Sequence, residues 1–306
     1  MRIGIVGAGG VGGLIAGLLA RGGHDVALVT RGKALEAIRA HGLRVDSPHG
    51  VFTAKVEAGH AEELAPVDAL LLAVKTWQVP ELAPTLAPLL RPAGFVVPLQ
   101  NGVDAPRQCA EALGEARVVG GICHVLSWIT EPGAVKHVGE GPLVTLGAWR
   151  APLGERVDAL QDALGQASVG VRVADDYPAA LWQKFLFIAS FGGVGAVTRT
   201  TAGVLRSLPE TRRMLVGAFE EVLAVCLASG VAASPRAVEK ALALTDSLPE
   251  DATASLARDV VAGRPSEIEA LSGAVARIGA ERGVPVPIHA AIYASVLPQE
   301  RAARCR

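Results

Sequence analysis

Residues 3–13 read IGIVGAGGVGG, and this glycine-rich segment is the strongest indication of the fold of the first half of the chain. Gly7, Gly9 and Gly12 fill the pattern GxGxxG between an apolar run typical of a strand and a helical segment that reaches residue 22. The first glycine permits a tight turn, the second lets a pyrophosphate approach the backbone, and the third lets the helix pack close to the sheet. The residues predicted to bind a dinucleotide here are Gly7, Ala8, Gly9, Gly10, Val11 and Gly12.

The end of the second strand, DVALVT, predicts which dinucleotide is bound. NAD sites usually place Asp or Glu there, to accept a hydrogen bond from the ribose 2′-hydroxyl. Here the strand ends in Thr30 and Arg31, and the next acidic residue is Glu36. Because a guanidinium can pair with a 2′-phosphate, with help from Lys33, we predict NADPH as the cofactor. The alternative is a solvated arginine in a loop.

Two later apolar runs, at 68–74 and 95–99, predict further strands of a parallel sheet covered on both faces. Ligands of such sheets lie beyond the carboxyl ends of the strands. Lys75 directly follows the first of these strands, and Asn101 lies just after the second. Both are therefore candidate ligand contacts, although Asn101-Gly102 is also a common turn sequence.

The rest of the first half predicts one more helix and then more strands. Residues 77–90 are expected to be helical, although prolines complicate the first turns. Apolar runs between 117 and 149 are separated by turn residues and predict antiparallel strands added to the same sheet. A helix over 154–166 and a strand over 169–175 complete this part of the chain.

From Pro178 onward the periodicity predicts helices only. The predicted helical segments are 178–197, 208–229, 234–247, 251–262, 265–282 and 287–296. The predicted fold class is therefore α/β, with an N-terminal Rossmann-like domain over residues 1–175 and a second, all-helical C-terminal domain over 176–306.

Composition excludes several classes of partner. Lys plus Arg is 29 and Asp plus Glu is 30 among 306 residues, so the sequence gives no reason to expect nucleic acid or an anionic membrane as a partner. The four cysteines have no CxxC spacing, so no metal site is expected, and scattered thiols favour a reducing cytoplasm. The apolar stretch 185–197 is shorter than the roughly 20 residues that cross a membrane. This stretch is either domain core or an interface, which leaves a homodimer open.

Three polar residues of the helical half are candidates for chemistry. Lys184 precedes a run of apolar residues, so its ammonium group either reaches the surface or points into a cleft, where burial would lower its pKa. Glu267 is expected in the first turn of a helix, where an acidic side chain is favourable in any case, and Glu269 is equally eligible. Ser255 lies one helix earlier. Sequence chemistry alone does not select these residues.

The order of six motifs resembles the ketopantoate reductase (2-dehydropantoate 2-reductase) family. The motifs are GAGGVG, VKTWQ, LQNG, LWQKF, SLARDVVAGRPSEIE and GVPVP, and they span essentially the whole chain. Many dehydrogenases share the first motif, whereas the order and spacing of the other five are much more specific. The resemblance implies a cytoplasmic enzyme of pantothenate biosynthesis that uses NADPH to reduce the keto group of a 2-oxo acid.

The resemblance also implies roles for individual residues. The family's catalytic lysine falls on Lys184, which would protonate the carbonyl oxygen as hydride arrives. The active-site glutamate falls on Glu267, which would position that lysine and bind the substrate. The serine that binds the carboxylate end of the substrate falls on Ser255. The remaining family positions fall on Arg31 and Lys75 for the cofactor and on Asn101 for both cofactor and substrate.

The chain departs from the family pattern at two positions. Well-studied members carry two substrate-contacting asparagines after the lysine, and Ile188 and Gly192 stand there. Either groups such as Ser190 and Thr198 replace them, or the substrate is a less polar carbonyl compound than ketopantoate. A third alternative is a non-catalytic NADPH-binding sensor, which has no need of a proton donor such as Lys184.

Overall fold

The computed structural model describes residues 1–305 and divides them into two compact units. The first contains Met1–Gln100 and Asp104–Tyr177, and the second contains Asn101–Val103 and the chain from Pro178 onward. Strands and helices alternate in the first unit, whereas the regular elements described in the second are α-helices. This arrangement confirms the predicted fold class.

The strands described in residues 1–305 all belong to the first unit. They are β1 (Arg2–Val6), β2 (Asp25–Val29), β3 (Leu43–Ser47), β4 (Gly50–Ala54), β5 (Glu57–Gly59), β6 (Val67–Leu72), β7 (Leu90–Pro98), β8 (Val119–Glu131), β9 (Ala134–Ala148) and β10 (Gly170–Ala174). The α-helices of this unit are α1 (Gly10–Arg21), α2 (Gly32–His41), α3 (Val79–Leu82), α4 (Ala105–Leu113) and α5 (Glu155–Gln166).

The first sheet is parallel, with the strand order β5-β2-β1-β6-β7. In its centre, Ile3 of β1 pairs with Val26 on one side and Ala69 on the other. These strands are apolar on both faces because helices and a second sheet cover them. Since all the strands run in one direction, the loop after β1 and Lys75 after β6 share one edge of the sheet.

The predicted antiparallel strands after residue 117 do exist, but they do not extend the first sheet. The long strands β8 and β9 pair with each other, and β9 continues into a second sheet ordered β10-β9-β3-β4. The β3–β4 hairpin of residues 43–54 was not predicted. The prediction was wrong because hydrophobic alternation identifies strands but does not say which sheet they join.

Glycines on one face of α1 make room for this second sheet. A Cβ atom at Gly10 would lie 2.5 Å from the carbonyl oxygen of Ser127, and one at Gly13 would lie 2.7 Å from the side chain of Val135. At Gly17 the added atom would come within 2.6 Å of the Val45 side chain. The spacing of three and four residues places these glycines on one helix face, so α1 is packed between two sheets.

The segment 77–90 also differs from its prediction. Instead of one helix it forms 3-10 turns at Thr76–Gln78 and Ala83–Leu89 on either side of the short α3. Pro80, Pro84 and Pro88 explain the difference, because a proline removes a backbone donor and clashes with the preceding helical turn.

The second unit contains α6 (Tyr177–Thr198), α7 (Ala202–Ser207), α8 (Pro209–Ala228), α9 (Ala237–Ser247), α10 (Ser255–Val261), α11 (Ser272–Arg282) and α12 (Pro287–Arg304). By length and composition α6 is apolar enough to cross a membrane. However, 67% of its most apolar 18-residue stretch is buried inside the protein. Phe185, Ala189 and Val194 of this stretch belong to the core of the unit. The burial identifies α6 as a core helix.

Candidate functional site

The glycine-rich loop has the geometry of a phosphate cradle. Gly7 adopts a φ of +104°, which L side chains rarely tolerate, and a Cβ atom at Gly12 would lie only 2.0 Å from the carbonyl oxygen of Gly7. Gly9 is the N-cap of α1, and a Cβ atom there would meet only the Ala73 carbonyl oxygen, at 3.9 Å. The space beside the helix N-terminus is therefore open, and Gly9 has no side chain to cap the first N–H groups. These N–H groups and the helix dipole fit the pyrophosphate of a dinucleotide.

The remaining residues of this loop, Ala8, Gly10 and Val11, are partly exposed and also contact the neighbouring core. Ala8 and Val11 are half-buried and pack against the core between the two sheets. Gly10, the first residue of α1, contacts β8 as described above.

The end of β2 exposes cationic groups. Arg31 is the N-cap of α2 in extended conformation, and the first turn of the helix reads GKAL. Arg31 and Lys33 are both exposed to solvent. An anion at this position would meet two cations and the positive end of the helix dipole, which is the electrostatic environment that a phosphate needs.

Gln100 ties together the ends of β6 and β7. Its buried side-chain amide donates hydrogen bonds to the carbonyl oxygens of Leu72 at 2.9 Å and Val74 at 3.1 Å. These bonds fix the backbone immediately before Lys75, which is exposed at the same edge. Gln100 was not among the predicted site residues. A polar residue directly after an apolar strand was the available signal.

Asn101 and Glu267 meet although 166 positions separate them in the sequence. The Asn101 side-chain nitrogen donates a 2.9 Å hydrogen bond to a carboxylate oxygen of Glu267, whose side chain is only 7% exposed. The neighbouring Gly102 adopts a φ of +86°, and a Cβ atom there would lie 2.7 Å from the carbonyl oxygen of Ala270. The Asn-Gly turn therefore packs closely against the segment that carries Glu267.

Glu267 does not begin a helix, contrary to the prediction. It lies in a turn, where its carbonyl oxygen accepts a hydrogen bond from the N–H of Leu271, and α11 begins only at Ser272. The residue before Glu267, Ser266, is hydrogen-bonded to side chains of α12. The turn also separates the two candidate acids, since Glu267 is buried and Glu269 is exposed.

Lys184 lies half-buried on α6, and the positions one and two helical turns later on the same face are Ile188 and Gly192. A Cβ atom at Gly192 would lie 3.4 Å from the side chain of Leu256 and 3.6 Å from that of Ala254. This face of α6 therefore packs against the beginning of α10. Ser255, between those two residues, is exposed and is the first residue of α10.

The two residues considered as substitutes for the missing asparagines have other partners. Ser190 is fully buried, with its hydroxyl oxygen 3.4 Å from the Nε2 atom of His289. The Thr198 hydroxyl donates to the carbonyl oxygen of Val194 at 2.7 Å. Ser190 is therefore part of the core. Within residues 1–305 there is also no group of three His, Cys, Asp or Glu side chains that could hold a metal ion.

A Rossmann loop with an open helix N-terminus, joined to a helical domain that carries a lysine and a buried glutamate, defines the class of dinucleotide-dependent oxidoreductases. The chain belongs to the ketopantoate reductase family. The family model "Ketopantoate reductase PanE/ApbA" matches residues 3–151, and the model of its C-terminal domain matches residues 176–300.

Known proteins of this family cover nearly the whole chain. A 2-dehydropantoate 2-reductase of Mesorhizobium japonicum is 31% identical over 97% of both chains. The crystal structure of 2-dehydropantoate 2-reductase from Geobacter metallireducens, also 31% identical, covers 98% of this chain and 99% of its own with a TM-score of 0.89. A D-mandelate dehydrogenase solved with NADH and anilino(oxo)acetate has a TM-score of 0.90 over 99% of this chain and 100% of its own, but at 20% identity it shows only the shared fold.

Proposed function

We propose that the protein uses NADPH to reduce a 2-oxo acid to a 2-hydroxy acid, with 2-dehydropantoate (ketopantoate) as substrate and pantoate as product. This reaction belongs to pantothenate biosynthesis. The observation that carries the proposal is the hydrogen bond between Asn101 and the buried carboxylate of Glu267, in a chain that belongs to the ketopantoate reductase family. The test is NADPH oxidation with ketopantoate as the sole acceptor, and absence of turnover would refute it.

In this proposal residues 1–175 hold NADPH and residues 176–306 carry the catalytic groups. The choice of NADPH over NADH rests on Arg31 and Lys33 at the N-terminus of α2, where the strand end supplies no carboxylate for a ribose hydroxyl. The fold does not select between the cofactors, because a relative by fold was solved with NADH. We expect a higher kcat/KM for NADPH in the wild-type protein and an Arg31→Ala variant that loses this preference. Equal kcat/KM for both cofactors in the wild type would refute the assignment.

The nicotinamide would supply the hydride when bound. The residues of this chain stabilise the developing charge and donate the proton. Lys184 acts as the general acid. Its ammonium group stabilises the negative charge that develops on the carbonyl oxygen and then donates a proton to it. Asn101 holds the Glu267 carboxylate, which in turn orients Lys184 and binds the substrate. Ser255 binds the carboxylate end of the substrate, and Lys75 contributes to cofactor binding.

A second substrate class is favoured by the apolar face of α6 beyond Lys184. Ile188 has no hydrogen-bonding side chain, and at Gly192 the neighbouring space is bounded by the side chains of Leu256 and Ala254. A site with these residues gains little from the hydroxyl group of ketopantoate and fits an aliphatic 2-oxo acid. Comparing kcat/KM for ketopantoate and 2-oxoisovalerate, which lacks the hydroxymethyl group, decides between them. A clearly higher kcat/KM for 2-oxoisovalerate would identify an aliphatic 2-oxo acid, instead of ketopantoate, as the substrate.

We further propose that the protein is a cytoplasmic enzyme. It binds a small-molecule substrate and binds neither nucleic acid nor a membrane. Light scattering of the purified protein tests whether it forms a homodimer.

A further inference from the structure

The C-terminal helix α12 carries a buried carboxylate that no step of the proposed reaction uses. The Glu300 side chain is only 1% exposed. One of its oxygens accepts two hydrogen bonds from Ser266, from the backbone N–H at 2.8 Å and from the hydroxyl at 2.5 Å. The other oxygen accepts a 2.6 Å bond from the Arg304 Nε atom, one helical turn later. These partners offset the cost of burying the charge.

The partners of Glu300 lie immediately before Glu267. Arg304 also donates to the carbonyl oxygen of Ser266, at 3.4 Å, so both backbone polar groups of Ser266 are bonded to α12. Gln299, the residue before Glu300, donates to the carbonyl oxygen of Val260 at the end of α10. Successive side chains of α12 therefore hold both ends of the segment between α10 and Glu267.

The turn that carries Glu267 is thus fixed at two places. Glu300 fixes the backbone on its N-terminal side, and the Asn101-Gly102 turn packs against Ala270 on its other side. The Ser266 carbonyl belongs to the peptide unit shared with Glu267 and is bonded by Arg304, while Glu300 bonds the N–H of the preceding peptide unit, the Ser266 hydroxyl and Arg304 itself. Together these bonds restrain the direction in which the Glu267 side chain leaves the backbone. The hydrogen bond between Asn101 and Glu267 requires this direction.

We propose that Glu300 is a positioning residue, which holds Ser266 so that the Glu267 carboxylate stays bonded to Asn101. The inference rests on the proposed function of Glu267 in the reductase reaction. Glu300 acts through Ser266 and has no role of its own in proton transfer.

A matched control exists at the other end of the same helix. Glu221 of α8 is also a buried glutamate, and it accepts hydrogen bonds from the backbone N–H groups of Ile288 at 2.7 Å and His289 at 2.9 Å. Replacing Glu221 by glutamine removes a charge of the same kind from the same helical unit, at the N-terminus of α12 rather than beside Ser266. The comparison separates positioning from general stability.

The experiment compares the wild type with Glu300→Gln, Ser266→Ala and Glu221→Gln. We measure the melting temperature, the Kd for NADPH, and kcat and KM with ketopantoate. Hydrogen exchange of peptides covering residues 264–273 and 286–291 reports local order without any turnover. Ser266→Ala removes only the hydroxyl donor, so it keeps the test open if Glu300→Gln does not fold.

We expect Glu300→Gln to lower kcat about ten-fold and Ser266→Ala about three-fold, with the Kd for NADPH unchanged within two-fold. Exchange should increase in 264–273 for these variants and in 286–291 for Glu221→Gln, which should keep kcat within two-fold despite a lower melting temperature. Unchanged exchange in 264–273, an unchanged kcat, or an equal loss of kcat in Glu221→Gln would overturn the proposal. A wild-type protein without turnover would instead refute the reductase function, and the exchange data alone would then decide whether Glu300 holds the turn.

Discussion

Replacing Asn101 by alanine removes the amide that donates to the buried Glu267 carboxylate at 2.9 Å. A hydrogen bond to a charged group contributes about 1.5–3 kcal/mol, and the low exposure of Glu267 argues against replacement by bulk water. If the transition state depends on this bond, kcat/KM for the 2-oxo acid should fall by a factor of about 10 to 150. The Kd for NADPH tests in addition whether Asn101 contacts the cofactor.

A double-mutant cycle isolates the bond from other effects of each substitution. The cycle compares kcat/KM for the wild type, Asn101→Ala, Glu267→Ala and the double variant. We expect a coupling free energy of about 1.5–3 kcal/mol, so that the double variant is little worse than the poorer single one. The control cycle combines Asn101→Ala with Glu269→Ala instead of Glu267→Ala. Glu269 is exposed and lies two positions later, so no coupling to Asn101 is expected. Losses that add within about 0.5 kcal/mol in the first cycle would refute the coupling of Asn101 to Glu267.

Three further predictions follow from single sites. Lys184→Ala should leave NADPH binding nearly intact and lower kcat by about 10²- to 10⁴-fold, and activity retained within a few-fold would show that another group is the acid. Gly12→Ala should abolish NADPH binding, because the new Cβ atom would lie 2.0 Å from the Gly7 carbonyl oxygen; Gly165→Ala on α5, where nothing lies within 4 Å, is the control and should bind NADPH normally. Burial lowers the pKa of His289 from 6.5 to about 4, so the folded state binds this proton less tightly than the unfolded chain. The associated stability is present above pH 6.5 and is lost as the pH falls towards 4, by on the order of 3 kcal/mol in total. Melting temperatures from pH 4.5 to 7.5 should therefore depend less on pH in His289→Gln than in the wild type, and parallel curves would contradict the prediction.

Local patterns predicted much of the fold. The glycine loop, the apolar strands β1, β6 and β7 of a parallel sheet, and the helical second unit each follow from residues within one turn, strand or helix. The sheet that β8 and β9 join was predicted wrongly, because it depends on residues outside each strand. Besides its sequence neighbour β8, β9 pairs with β3, which lies 90 positions earlier at the pair of Arg44 and Ala134, and no alternation within a strand identifies so distant a partner.

Some residues of the candidate site could also be predicted from local sequence, whereas others could not. Gly7 and Gly12 were predictable because their requirement for glycine is local, in a turn of positive φ and in a contact between residues five positions apart. Glu267 and Glu269 could not be separated by composition, since both would suit a helix N-terminus. Their difference in burial arises only when the chain folds.

The dinucleotide loop, the fold class and the motifs that resemble one family could be read from the amino-acid sequence, because each depends on neighbouring residues. The hydrogen bonds of Glu267 to Asn101 and of Glu300 to Ser266 became visible in the folded chain alone. They depend on packing, because a buried carboxylate must find donors wherever the fold brings them. Here those donors lie 166 and 34 positions away, beyond the reach of any local pattern.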